Sequence, residues 1–394
     1  MLGDFMYFNP TKIYFGKKAL HSLYDELQKY GDTIMLVYGG GTIKRTGLYD
    51  QVMHVLKTCQ KHVIEDGGVM SNPTVEKLYT GCRIARENAV DFILAVGGGS
   101  VCDYAKAVSA SAYCKVDPWE KYFIRHERTI SHVIPVGCIL TMTGTGSEMN
   151  SGAVITNESM KQKIGHTFDE SVFPQFSILN PEWTYTLSHN QMVSGIFDIM
   201  SHLMEQYFSG QDDNTTDYIA EGMMRSLIQS SRVALKDYKD YEARSNIMWI
   251  ATWALNTVLE KGKSMDWMVH NIGHVLGAYT DATHGMTLSA ISIPYYQRIC
   301  PDGLHKFKRF AMNVWGIQQM DKTDEQVAMQ GIKCLQNWMK ELGLIMDIRQ
   351  LGISEEMLQK VAKNVIIVDG GYGHLTSNDI VKILRNSMEV DEFL

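Results

Sequence analysis

Phe92-Ile93-Leu94-Ala95-Val96-Gly97-Gly98-Gly99-Ser100-Val101-Cys102-Asp103 runs apolar to Val96, breaks into three glycines and then starts a helix. An apolar run without polar alternation is the pattern of a strand buried on both faces. Residues 33–38 (TIMLVY) repeat the pattern and end at Gly39-Gly40-Gly41. Residues 132–139 (HVIPVGCI) repeat it again and end near Thr141-Met142-Thr143-Gly144. Near the N-terminus, Ile13-Tyr14-Phe15-Gly16 reads as a short strand and turn, and Ala19, Leu20, Leu23 and Leu27 follow at helical spacing. Continuous strands, glycine turns and helices in alternation predict a parallel sheet covered on both faces.

After Pro181 the strand-like runs largely vanish. Helical patterns take over at residues 187–207, 217–233, 242–259, 265–276 and 326–342. The expected architecture is an α/β nucleotide-binding domain over residues 1–184 and an all-helical metal-binding and catalytic domain over residues 185–394. Active sites often lie between two such domains. Of the 394 residues 45% are hydrophobic, enough for a large core, and Met192, Met200 and Met204 fall on an apolar helical pattern that reads as core packing. A net charge of -7 argues against a nucleic-acid partner. No apolar run is long enough to cross a bilayer, and Met1-Leu2-Gly3-Asp4-Phe5 shows neither the basic nor the apolar part of a secretory signal. Seven cysteines, an odd number with no C-x-x-C spacing, fit reduced thiols in the cytoplasm better than a disulfide framework or a zinc ribbon.

Glycines let a backbone come close to a phosphate, and a helix N-terminus offers unpaired N–H groups with a partial positive charge. Gly97-Gly98-Gly99-Ser100 therefore suits a pyrophosphate, with Ser100 as helix cap or phosphate ligand. One glycine triplet is as well explained by an ordinary tight turn. Two triplets after two strands, with Thr143-Gly144-Thr145-Gly146-Ser147 after a third, point to one ligand-binding sheet edge. The spacing is not the G-x-G-x-x-G of the standard dinucleotide fingerprint.

Asp198 and His202 stand four residues apart on an apolar helix and share one face. A buried carboxylate is costly unless something compensates it, and a metal would. His270 and His274 repeat the four-residue spacing, and His284 follows in a turn bounded by Gly285. One carboxylate and up to three imidazoles suit Zn²⁺ or Fe²⁺ with a position left for substrate. Singly, each residue is better explained by a hydrogen-bonded core histidine or a capping or salt-bridged aspartate; together they favour a metal site. Asn271 and Ile272 stand where H-E-x-x-H would need its glutamate, so a metalloprotease is not indicated.

In order and spacing these pieces resemble the iron-containing alcohol dehydrogenases, in particular the branch of butanol dehydrogenases and NADPH-dependent aldehyde reductases. The matching text runs from Asn9-Pro10-Thr11-Lys12-Ile13 through Tyr38-Gly39-Gly40-Gly41-Thr42-Ile43-Lys44, Gly97-Gly98-Gly99-Ser100 with Asp103, and Thr145-Gly146-Ser147-Glu148. It continues through the aspartate and histidines to Tyr372-Gly373-His374-Leu375-Thr376. The resemblance implies a dehydroquinate-synthase-like fold and one divalent metal, Fe²⁺ or Zn²⁺, on Asp198, His202, His270 and His284. It leaves His274 beside the metal as a catalytic histidine, a choice that spacing alone does not make. It places Gly97, Gly98, Gly99 and Ser100 at the cofactor pyrophosphate, counts Asp103 among the cofactor-binding residues, and sets Thr141 and Ser147 near the nicotinamide and Lys163 near its ribose.

Many members carry an aspartate after the first long strand to hold the adenine ribose. Here Gly39, Gly40, Gly41 and Thr42 stand there, with Lys44 following. A missing carboxylate and a nearby cation suit the 2′-phosphate of NADP over NAD. Without that context Lys44-Arg45 is a solvated surface pair. The implied activity is hydride transfer between NAD(P)H and small aldehydes or primary alcohols, by a homodimer or larger homo-oligomer. The alternative is a non-redox lyase of the dehydroquinate-synthase type, which needs a dense basic pocket not visible around the metal motifs. A metallohydrolase would leave the glycine turns without a use.

Overall fold

Strands that are apolar on both faces need cover on both faces, and the first half of the chain provides it. The computed structural model describes residues 2–129, 132–211 and 213–388. Its strands are β1 (Lys12–Phe15), β2 (Thr33–Tyr38), β3 (His62–Asp66), β4 (Phe92–Gly97), β5 (Val136–Leu140), β6 (Gly152–Asn157), β7 (Gln162–Thr167) and β8 (Phe176–Leu179). Six of them form a sheet in the order β1-β8-β5-β4-β2-β3, with every neighbouring pair parallel. β6 and β7 pair antiparallel as a separate hairpin. Ile34, Leu36, Phe92, Leu94, Val96 and Ile139 are completely buried in one cluster with Leu48, Val52 and Leu56 of the helix Leu48–Thr58.

The register brings the glycine turns together. Tyr38 of β2 lies beside Val96 of β4, and Gly97 lies beside Leu140 of β5. All three strands therefore end at one sheet edge, where Gly39, Gly98 and Thr141 follow. The third strand starts later than residue 132. Pro135 has no N–H to give, so the ladder opens at Val136. β3, β8 and the hairpin are not among the strands expected from the sequence: β3 and β8 are short, β3 is a partly exposed edge strand ending in two acids, and the hairpin strands lack an unbroken apolar run.

Helices form the second unit. They include His189–Tyr207, Thr215–Lys236, Tyr241–Ala254, Met268–Thr280, His284–Ile299 and Asp324–Leu342. The expected turn at His284 is corrected: His284 is the first residue of a helix. That helix is buried from Gly285 to Tyr296 and runs through Pro294. A segment buried on every side shows no polar face and so no clear helical periodicity to read. The expected helix over residues 242–259 stops at Ala254, and Thr257 takes a left-handed φ of 74°. By compactness the chain divides into Phe8–Thr186 and a second unit of Met1–Tyr7 with Leu187–Leu394. Among the described residues no helix is long and apolar enough to cross a membrane. All seven cysteines are free thiols.

Candidate active site

In the helical unit three helices supply the candidate ligands. Ser188 and Gln191 close a capping box at the start of His189–Tyr207, which is buried from Met192 to Tyr207. Asp198 and His202 lie one turn apart on it. The first turn of His284–Ile299 is pressed against this helix: a Cβ on Gly285 would sit 2.0 Å from the Ser194 carbonyl oxygen, and the Gly285 N–H donates to Ser194 Oγ (3.1 Å). Only glycine allows backbones that close, and the contact brings His284 over Asp198. Met268–Thr280 carries His270 and His274. It is entered through Trp267 with φ 58°, a left-handed conformation that costs a bulky residue about 1–2 kcal/mol.

The side chains converge. Asp198 Oδ1 lies 3.8 Å from His202 Nε2, 3.5 Å from His270 Nε2 and 3.6 Å from His284 Nε2. The ligand atoms of Asp198, His202 and His270 all lie within 4.8 Å of one another. The His202 and His270 rings stack at 4.6 Å, and the His274 ring lies 5.2 Å from that of His284 and 6.0 Å from that of His270. Asp198, His202 and His270 are buried, whereas the His284 side chain is 23% exposed. Separations of 3.5–3.8 Å between donors are close to those of donors each about 2 Å from one ion. One carboxylate with three imidazoles is also the donor chemistry of a divalent transition metal. The residues present therefore fit a metal. Burial lowers the His270 pKa, but the neighbouring Glu205 and Asp198 carboxylates outweigh it and hold the group at about 9.

Glu205 escaped the sequence reading. It is completely buried, and His270 Nδ1 donates to its Oε1 at 2.5 Å. Its position three residues after His202 was the available signal. On a helix that spacing points it toward the same neighbours.

At the sheet edge the candidate binding groups are backbone atoms. The helix Gly99–Ser111 is capped by Gly98 with no side-chain bond, which corrects Ser100 as the cap; Ser100 Oγ donates instead to the Ser71 carbonyl (2.5 Å). A Cβ on Gly99 would lie 2.1 Å from Thr145 Oγ1, so this helix start and the third glycine loop touch. Asp103 is buried, with one oxygen accepting from Ser147 Oγ and the other from the Val154 N–H (3.0 Å). Lys106, completely buried, lies 3.9 Å from Asp103 and donates to the carbonyls of Ser147 and Asn150. Burial raises the Asp103 pKa and lowers that of Lys106. The Thr141 N–H donates to the Gly97 carbonyl (2.9 Å), and Lys163 Nζ to Asn72 (2.9 Å). Gly41 takes a left-handed φ of 96° and opens the short helix Thr42–Arg45. There Lys44 Nζ lies 3.7 Å from Glu65 and over the rings of Tyr38 and Tyr49, both of whose hydroxyls donate to Glu65.

Residues 10–181 match the family model of iron-containing alcohol dehydrogenase, and residues 192–388 match that of the C-terminal part of the Fe-containing alcohol dehydrogenase family. The chain belongs to the iron-containing alcohol dehydrogenase family. NADH-dependent butanol dehydrogenase A of Clostridium acetobutylicum is 38% identical over 98% of this chain and 99% of its own length. The NADPH-dependent aldehyde reductase YqhD of Escherichia coli is 34% identical over 92% and 93%. The solved structure of NADH-dependent butanol dehydrogenase A from Thermotoga maritima superposes with a TM-score of 0.93 at 33% identity, covering 98% of this chain and 99% of that one. This iron-containing alcohol dehydrogenase is thus an alcohol/aldehyde oxidoreductase that works with a metal and a nicotinamide cofactor. The lyase alternative receives no support from these matches.

Proposed function

We propose that the enzyme moves a hydride between NAD(P)H and small aldehydes or primary alcohols of about the size of butanol, with one divalent metal, Fe²⁺ or Zn²⁺, on Asp198, His202, His270 and His284. The observation that carries this reading is the convergence of three imidazole Nε2 atoms on Asp198 Oδ1. When bound, the metal polarises the substrate oxygen as a Lewis acid and the nicotinamide gives or takes the hydride. The buried Asp198 carboxylate offsets the cation's charge where water is excluded and the attraction is strong. Half-buried beside His284, His274 holds the proton that the substrate oxygen gains or loses.

The amides at Gly97, Gly98, Gly99 and Ser100 hold the pyrophosphate, with Asp103 bracing the turn from behind. Thr141, Ser147 and Lys163 serve the nicotinamide half. Nucleotide binding is assigned to residues 1–184 and the metal to residues 185–394, of which 389–394 lie outside the described residues. A homodimer or larger homo-oligomer in the cytoplasm completes the reading. The support for self-association is the exposed apolar run Phe5, Met6, Tyr7 and Phe8 and the position of β1 at a sheet edge. The test is protein loaded with Fe²⁺ or Zn²⁺ and given butyraldehyde with NADPH or NADH while the nicotinamide absorbance is followed. No cofactor oxidation across a panel of short aldehydes with either metal would overturn the activity.

For the cofactor the reading is NADPH over NADH, because Gly39, Gly40, Gly41 and Thr42 bring no carboxylate and Lys44 brings a cation. One observation favours NADH instead. Glu65 sits 3.7 Å from Lys44 and offsets its charge. Comparing kcat/KM for both cofactors in the wild type, Lys44→Ala and Glu65→Gln separates the two: the NADPH reading requires Lys44→Ala to lose more with NADPH than with NADH.

A further inference from the structure

A metal ligand needs its second ring nitrogen held, or the ring turns and the wrong nitrogen carries the proton. In His270 the two nitrogens are divided between two carboxylates. Nε2 faces Asp198 Oδ1 at 3.5 Å, and Nδ1 faces Glu205 Oε1 at 2.5 Å. Glu205 Oε2 accepts the backbone N–H of the same residue (3.1 Å), and Oε1 also accepts Ser201 Oγ (2.8 Å). The Glu205 main-chain carbonyl accepts the Asp266 N–H (2.9 Å), four residues ahead of His270. Glu205 therefore grips the segment that carries His270 at three points, from a helix that also supplies Asp198 and His202.

The geometry points to Glu205 as a positioning residue of the metal centre, one that keeps the proton of His270 on Nδ1, aims the Nε2 lone pair at the ion and raises its strength as a donor. This rests on the reading of His270 as a ligand. The surroundings leave Glu205 as the charged neighbour. Asp266, also completely buried, has both oxygens within 2.6–2.7 Å of the Tyr295 hydroxyl. Burial and then the Glu205 charge push its pKa up to about 8, so it is mostly protonated at neutral pH. One negative charge, not two, stands behind the imidazole.

Purified metal-free enzyme is titrated with Zn²⁺ and Co²⁺ against a chromophoric chelator, comparing wild type, Glu205→Ala, Glu205→Gln and His270→Ala. Glu205→Ala should weaken binding by roughly 10–100-fold and alter the Co²⁺ absorption spectrum. Glu205→Gln should recover part of the affinity, since an amide oxygen still accepts Nδ1–H without the charge. If Glu205→Ala does not fold, Glu205→Gln alone decides by a weakened affinity. Wild-type affinity and spectrum in the Glu205 variants, with binding lost in His270→Ala, would overturn the positioning role. Wild-type affinity in His270→Ala would instead overturn the ligand reading beneath it.

Discussion

Asp103 and Asp198 are both buried aspartates on buried helices, and they are surrounded by opposite kinds of neighbour. Around Asp103 stand groups that bring protons of their own: the Ser147 hydroxyl, the Val154 N–H and the Lys106 ammonium. Such a carboxylate is already satisfied. Around Asp198 Oδ1 stand three imidazole nitrogens at 3.5–3.8 Å, each able to present a lone pair to a metal that displaces its proton. Lone pairs converging on a carboxylate call for a cation. The difference teaches that burial does not mark a functional acid; the chemistry of what faces it does. It also separates the two halves of the enzyme. On the proposed reading the binding groups at the glycine turns are amides braced by side chains, whereas in the helical unit the side chains themselves form the site.

The largest effect should come from the lone-pair side. Asp198→Asn or His270→Ala should take metal content from about one per chain to near zero and turnover down by roughly 10³-fold or more. His274→Ala should keep the metal and lower the rate by about 10²-fold, the scale of a lost acid–base group. Equal metal loss in all three, measured by elemental analysis, would break the division. On the other side, Asp103→Asn leaves Lys106 buried without its counter-charge. It should cost about 3–5 kcal/mol in denaturant unfolding while metal content stays at the wild-type level. Unchanged stability would remove Asp103 from its bracing role.

A third experiment uses pH. The folded pKa of Asp266 is raised to about 8, against about 4 unfolded. The stability this group contributes is fully present below pH 4 and is lost as pH rises toward 8. Asp266→Asn lacks that loss, so the variant should gain on the wild type as pH rises from 4 to 8, by at most about 1.4 kcal/mol per pH unit. A stability difference that does not change with pH would reject the buried neutral acid. The smallest effect should be that of Lys44→Ala. Lys44 is solvent-exposed and Glu65 already offsets part of its charge, so the NADPH-to-NADH ratio of kcat/KM should fall only about a few-fold. A larger change would mean that Lys44 meets the phosphate directly.

Much of this was legible beforehand, for identifiable reasons. β2 and β4 are unbroken apolar runs ending in glycine, so their limits could be read within a residue. Asp198 and His202 stand out because polar residues on an apolar helical face are rare. The helix beginning at His284 was not legible, since it is buried all round, with Thr287, Ser289 and Ser292 among its buried residues, and contains Pro294. Glu205 was not, because a glutamate near the end of a helix looks like surface until its burial is known. The sequence leaves Lys44 free to meet a phosphate, whereas in the fold Glu65, twenty-one residues later in the chain, takes up part of its charge.

The sequence by itself determined what repeats at short range: which runs are strands, which turns are glycine, and which acids and imidazoles share a helical face. These follow from the chain's own periods of two and 3.6 residues. Only the tertiary structure decided which members of different elements meet. His270 and His274 have the same spacing and the same chemistry, yet it is His270 whose Nε2 comes within 3.5 Å of Asp198 and whose Nδ1 rests on Glu205. Asp103 became a brace because Ser147 and Val154, some fifty residues away in the chain, occupy its two oxygens. A helical period places neighbours along one element, but the distance between two helices is set by packing, here by Gly285 letting one backbone touch another.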